Sequence, residues 1–211
     1  MSVDLGFVHR YVPGEAGTTL LLLHGTGGNE EDLIPLAQDL VPGASILSPR
    51  GKVWEYGAAR FFRRLAEGVF DHEDLLFRTH ELAGFVEAAS EEYGFDPSRI
   101  VAVGYSNGAN IAGSTILLHP GLLRAAVLFR AMVPFEPDVT PDLSDMPIFI
   151  AAGKMDRMIP QDNTRRLADI LAEAGADVDL RWRNVGHGLT FEEVEEARDW
   201  LETRSLREGR F

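Results

Sequence analysis

"VAVGYSNGANIAG", residues 101–113, sets Ser106 between Gly104 and Gly108, directly after a short apolar run and directly before a run of small residues. Val101, Ala102, Val103 and Gly104 are β-formers or small, and predict a buried strand. Asn107 through Leu118, rich in Ala and aliphatics, predicts a helix. A strand that turns into a helix with almost no connecting length forces the corner residue into strained backbone, and small neighbours must let the two elements approach. Gly104 and Gly108 supply that relief on either side of Ser106. The pattern is a Gly-x-Ser-x-Gly elbow, which holds a serine oxygen out at the carboxyl end of a strand and the amino end of a helix. Alone, it also fits a tight turn with an incidental serine, so the surrounding sequence decides.

Working outward, apolar runs recur with helical stretches between them: "TTLLLLHG", "ASILSP", "RIVAVG", "AAVLF", "MPIFIAAG" and "DVDLRWR". Strands alternating with helices predict an α/β fold, a mostly parallel sheet with helices on both faces. The helices are expected over Asp32 to Leu40, Glu73 to Tyr93, the stretch after Ser106, Gln161 to Ala174, and Thr190 to Leu206. Two segments, Arg50 to His72 and the proline-rich Arg130 to Asp145, read as long irregular loops. Their aromatic content (Trp54, Tyr56, Phe61, Phe62, Phe70 in the first) predicts packing near a pocket.

The 211 residues, 45% apolar and 25% charged, fit one globular domain over 1–211. A net charge of −13 argues against nucleic acid and anionic membrane surfaces as main partners. The amino terminus "MSVDLGFVHRYV" has no apolar signal region and no run is long enough to span a membrane, which predicts a cytoplasmic protein. With no cysteine, disulfides, a Cys nucleophile and thiolate metal sites are excluded.

A serine hydroxyl is a poor nucleophile at neutral pH; it needs a base, and the base needs a third group to hold its tautomer. In the strand-turn-helix arrangement these follow in the order Ser, acid, His. Only His119 and His187 follow Ser106. His119 lies near the far end of the helix that Ser106 opens, about 20 Å away at the α-helical rise, and reads as a helix-end cap. His187, in the glycine-flanked loop "NVGHGLT" after the last strand, is the expected base. Asp156, in "IFIAAGKMDRMIP", follows the end of a buried strand and is the expected acid, with a turn-capping role as the alternative. The oxyanion formed by attack on a carbonyl calls for two backbone donors: the N–H of Asn107, and an N–H from the glycine-rich loop of "LLLLHGTGGNEEDL", at Thr26. That loop lacks the Gly-Lys-Ser/Thr of a phosphate cradle, and Glu30, Glu31 and Asp32 would repel an anion. His24 precedes Ser106 and is expected to fix the loop by hydrogen bonding. No spacing of His, Asp or Glu predicts a catalytic metal.

Gly-Tyr-Ser-Asn-Gly at 104–108, "LLHGTGGNEEDL" at 22–33, "GKMDRMIP" at 153–160 and "GHGLT" at 186–190 together resemble the phospholipase/carboxylesterase branch of the α/β-hydrolases, which includes acyl-protein thioesterases. "ARFFRRLAEGVFDHEDL" at 59–75 is similar to a bacterial carboxylesterase subgroup within it, some members of which accompany aromatic-compound resistance. The resemblance implies an α/β-hydrolase fold and a cofactor-free serine esterase acting on small carboxylic esters or thioesters, often dimeric. Carried over, it makes Ser106 the nucleophile, His187 the base, Asp156 the orienting acid, and the Thr26 and Asn107 amides the oxyanion hole. The related dienelactone hydrolases carry Cys where this chain has Ser106. Acyl-protein thioesterases generally carry Gln and Leu where it has Asn107 and Thr26. Phe62 and Val133, with Phe61, Met132 and Phe135, are candidates to line an apolar pocket, and Arg63 and Arg64 to bind an acidic group; each has core packing or surface ion pairing as its alternative. A hydrolase-fold protein that binds a small ligand without turning it over is the competing reading.

Overall fold

In the computed structural model, which describes residues 5–208, the apolar runs become neighbouring strands of one sheet. Residues 1–4 and 209–211, which the single-domain expectation includes, lie outside the described part. In chain order the elements begin with β1 (His9–Val12), β2 (Thr19–Leu23), α1 (Ile34–Leu40) and β3 (Ser45–Pro49). Four short strands follow: β4 (Val53–Glu55), β5 (Ala58–Arg60), β6 (Arg64–Ala66) and β7 (Val69–Phe70). Then come α2 (His72–Tyr93), β8 (Ile100–Tyr105), α3 (Asn107–Leu118), β9 (Ala125–Phe129), β10 (Pro147–Gly153), α4 (Gln161–Glu173), β11 (Asp177–Arg183) and α5 (Phe191–Glu208).

The main sheet runs β1-β3-β2-β8-β9-β10-β11, parallel except for β1, which pairs antiparallel with β3 at one edge. Its central strands are apolar on both sides because both faces are covered. Along β2, Leu21 and Leu23 enter one core while Leu20 and Leu22 enter the other. The alternation repeats in β8, β9 and β10, as the two-residue period of a strand requires. One core takes residues of α2, α3 and α4, including Leu82, Ile111 and Leu167; the other takes residues of α1 and α5, including Leu40 and Trp200. No helix among the described residues is long and apolar enough to cross a membrane.

One expectation needs correction. The segment from Arg50 to His72 is not irregular: β4 pairs with β5 and β6 with β7 as two small antiparallel hairpins. The chain also has an antiparallel edge strand, β1, that the apolar runs did not announce because its residues alternate between partly buried and exposed.

β2 leads to β3 on one side of the sheet, whereas β8 lies on its other side. Strand order therefore reverses between β2 and β8, and a crevice opens at the carboxyl ends of these two strands, where open parallel sheets collect their sites. The loop bearing Thr26 leaves β2 there, and Ser106 leaves β8 beside it.

Candidate active site

Ser106 sits at φ +53° and ψ −113°, in backbone that L-residues rarely adopt. The corner is pinned on both sides: Ser106 N–H donates to the Phe129 carbonyl (2.8 Å), and its own carbonyl accepts from Asn110 N–H (3.0 Å). The flanking glycines are sterically required. A Cβ on Gly108 would lie 1.9 Å from the Leu23 carbonyl oxygen, and one on Gly104 would lie 2.6 Å from the Ala109 Cα. The start of α3 thus presses directly on the end of β2 and on β8.

Ser106 Oγ is 3.0 Å from His187 Nε2, and His187 Nδ1 is 2.8 Å from Asp156 Oδ2. With the carboxylate accepting from Nδ1–H, Nε2 is left to accept the serine proton. Asp156 is almost fully buried, its side chain 2% exposed. Its other oxygen accepts from the amides of Met158 (2.8 Å) and Ile159 (3.1 Å), so the turn-capping role and the contact with His187 coexist in one carboxylate. The hydroxyl of Tyr105 donates to the His187 carbonyl (3.0 Å), and burial pushes its pKa up.

The amides of Thr26 and Asn107 donate to no acceptor among the described residues. Asn107 N–H belongs to the first turn of α3, where backbone donors have no partner within the helix and the dipole favours negative charge. The hairpin β4–β5 holds both donors in place: Ala59 O accepts from Gly27 N–H (2.8 Å), and Phe61 N–H donates to Asn107 Oδ1 (2.7 Å). His24 does fix this loop. Gly51 N–H donates to its Nε2 (2.9 Å), which puts the ring proton on Nδ1, donated to the Gly25 carbonyl (2.7 Å). Burial lowers the His24 pKa, favouring this neutral form. His119 ends α3 as its C-cap and pairs with His80 (2.9 Å).

The cleft over Ser106 encloses about 410 Å³ and is lined by Thr26, Arg60, Arg64, Glu67, Phe70, Asn107, Asn110, Met132, Met158 and His187, among others. Its lining is mixed, with Arg60, Arg64, Glu67, Asn107 and Asn110 beside apolar Phe70, Met132, Met158 and Ile159. Asn107 and Asn110 each commit their side-chain oxygen to a backbone amide, the former to Phe61 N–H (2.7 Å) and the latter to Met132 N–H (2.7 Å). The Asn107 nitrogen is buried with no partner. Arg60, 5% exposed, donates to Thr26 Oγ1 (2.5 Å) and shares Glu55 with Arg64; burial lowers its pKa.

The pocket expectations are only partly met. Phe62 is fully buried, edge-on to Phe70, so it backs the wall that Phe70 presents; Phe61 is likewise in the core. Val133 and Phe135 pack on the core outside the lining, while Met132 does line it. Arg64 reaches the cleft, whereas Arg63 is outside its lining and pairs with Asp71 (3.0 Å). Sequence reasoning missed Arg60, Asn110 and Tyr105. Asn110 carried a signal, three residues after Asn107 on a helix, hence on the same side.

The model of the dienelactone hydrolase family matches residues 69–204, a stretch that contains Ser106, Asp156 and His187. MhqD of Bacillus subtilis (strain 168) is 45% identical over 192 residues, covering 91% of this chain and 96% of its own. Among solved structures, a carboxylesterase from Bacillus cereus superposes with a TM-score of 0.90 at 48% identity, covering 92% of each chain. A carboxylesterase from Mesorhizobium loti gives 0.90 at 32% identity over 95% of this chain and 97% of its own. The fold is the α/β-hydrolase fold expected from the sequence. On these matches, the chain belongs to the dienelactone hydrolase family.

Proposed function

We propose that this protein is a serine carboxylesterase that hydrolyses small, short- to medium-chain carboxylic esters through an acyl-enzyme on Ser106. The observation that carries the reading is the hydrogen-bonded line Ser106–His187–Asp156 opening into a cleft beside two unpartnered amides. His187 Nε2 takes the Ser106 proton as Oγ attacks the ester carbonyl carbon. The carbonyl oxygen becomes an oxyanion that accepts from the Thr26 and Asn107 amides, each such donor being worth about 3 kcal/mol. Collapse breaks the bond to the alcohol oxygen, which leaves with the proton from His187. Water then attacks the acyl carbon, giving a proton to His187, and the second collapse releases the acid and returns the proton to Ser106. Asp156 holds the Nδ1 proton throughout and stabilises the imidazolium.

The modest volume, walled on one side by Phe70, Met132, Met158 and Ile159, favours a short acyl group over a long alkyl chain. Ser106 stands where the dienelactone-cleaving enzymes named in the resemblance carry Cys, which favours simple esters over dienelactones as substrates in this reading. The test is hydrolysis of p-nitrophenyl esters from acetate to laurate by wild type, Ser106→Ala and His187→Ala. Wild type should favour the short end, and each variant should lose on the order of 10⁴-fold or more in kcat while keeping its fold. Turnover retained by either purified variant would sink the assignment; a preference for matched thioesters would move the substrate class to thioesters.

A further inference from the structure

Three successive carbonyls in the loop that carries His187 accept hydrogen bonds from outside the loop. The Gly186 oxygen accepts from Arg130 Nε (3.1 Å), the His187 oxygen from the Tyr105 hydroxyl (3.0 Å), and the Gly188 oxygen from Arg130 Nη2 (2.8 Å). Arg130 follows the last residue of β9 in a left-handed conformation, φ +58°, and its side chain is fully buried. All five of its N–H donors are used: the two glycine carbonyls, the Ala151 carbonyl (3.2 Å), and both oxygens of Glu193 (2.6 and 2.8 Å).

Glu193 is 1% exposed and stands in the first turn of α5, where it also accepts from Thr190 N–H and Oγ1 (both 3.0 Å), a partial capping box. Burial works to raise its pKa, and is outweighed by the Arg130 fork and the Thr190 donors, which hold it below the usual carboxylate range. A buried ion pair is a poor device for stability alone, because hydrophobic residues of similar volume do as well or better. A planar guanidinium does what they cannot: it sets the spacing of two carbonyls on either side of one residue. That residue is His187.

The placement of Arg130 adds a second link. Its chain neighbour Phe129 supplies the carbonyl that accepts from Ser106 N–H. The end of β9 therefore grips the serine backbone through one residue and the histidine loop through the next.

We propose that Arg130, oriented by Glu193, is a positioning residue that sets the reach of His187 to Ser106. The inference rests on the reading of His187 as the base. An imidazole misplaced by as little as 1 Å loses on the order of 100-fold in rate, while the rest of the cleft wall keeps its contacts with substrate because Arg130 itself does not line it.

The test uses Arg130→Lys, which keeps the charge but lacks the fork, and the double variant Arg130→Met with Glu193→Leu, which leaves no uncompensated buried charge. Thermal melts report folding, p-nitrophenyl acetate hydrolysis gives kcat and KM, and proton NMR follows the deshielded Nδ1 proton that His187 shares with Asp156. The expected result is cooperative melting, KM within about 3-fold of wild type, kcat down on the order of 100-fold, and weakening of the low-field proton signal. A folded variant of either kind with kcat within about 2-fold of wild type overturns the proposal. So does failure of both to fold, which would make the pair structural. Activity retained by His187→Ala would instead sink the reading of the base, whereas an inert His187→Ala beside fully active Arg130 variants would sink this proposal alone.

Discussion

Ser106 holds backbone that costs on the order of 1–3 kcal/mol, and two hydrogen bonds, to Phe129 and from Asn110, hold it there. The result is a hydroxyl clear of both strand and helix, 3.0 Å from an imidazole. His24 shows the opposite arrangement, a ring whose two nitrogens are both committed to backbone groups and whose proton is assigned by them. Its folded pKa lies below the unfolded value of about 6.5, so the folded state binds fewer protons than the unfolded chain as pH falls. The contribution is fully present above about pH 6.5 and is lost as pH drops through the lower folded value. Wild type should therefore lose Tm progressively below about pH 6.5, and His24→Gln, which has no proton to gain, should show a flatter profile. Parallel profiles for the two proteins would assign the acid sensitivity to other groups.

At the scale of elements, the decisive contact is the seating of α3 against the ends of β2 and β8. Gly108→Ala drives a Cβ to 1.9 Å from the Leu23 carbonyl oxygen, and neither backbone can yield without moving the Thr26 loop or the Asn107 amide. We expect a loss of about 3 kcal/mol or more, with activity falling further than stability explains. Gly84, in the middle of α2, is the counterpart: a Cβ added there would meet nothing within 4 Å. Gly84→Ala should raise stability by about 0.5–1 kcal/mol and leave kcat unchanged, both read from denaturant unfolding and ester hydrolysis. The β4–β5 hairpin is the other element that matters, since Ala59 bonds Gly27, Arg60 bonds the Thr26 hydroxyl and Phe61, just past β5, bonds Asn107, so one segment reaches both donors.

For the molecule as a whole, the sheet separates two cores, and each has side chains that bear on the site and side chains remote from it. Phe85 is 3% exposed in the α2 layer, where it packs on Phe7 with ring centroids 4.8 Å apart and lines no part of the cleft. Phe85→Ala should cost about 3–5 kcal/mol in denaturant unfolding while leaving the kcat of the folded fraction within about 2-fold of wild type. In the α5 layer, the first turn carries Glu193 and through Arg130 bears on the loop of His187. A matching loss of kcat in Phe85→Ala would show that packing under α2 reaches the cleft wall at Phe70 and Met132.

The sequence alone determined the central strands, the corner at Ser106 and the chain order of Ser106, Asp156 and His187. Runs such as Leu20 to Leu23 are too short for a helix and too apolar for one exposed face, so only a strand buried on both sides satisfies them. The corner was legible because the glycines it needs lie within two residues of it. Only the tertiary structure decided what depends on residues far apart in the chain. Ser106 and His187 are 81 positions apart, and their 3.0 Å contact is set by how β8, β9 and the loop after β11 stack. The two hairpins, built from strands of two or three residues, are too short for a periodic signal, so their pairing was silent in the sequence. Phe62 and Val133 were indistinguishable from cleft residues by type, because an apolar side chain suits a core and a pocket equally. Arg130 was harder still: a charged residue is expected in water, and only the convergence of Glu193 and three backbone carbonyls explains why this one is buried.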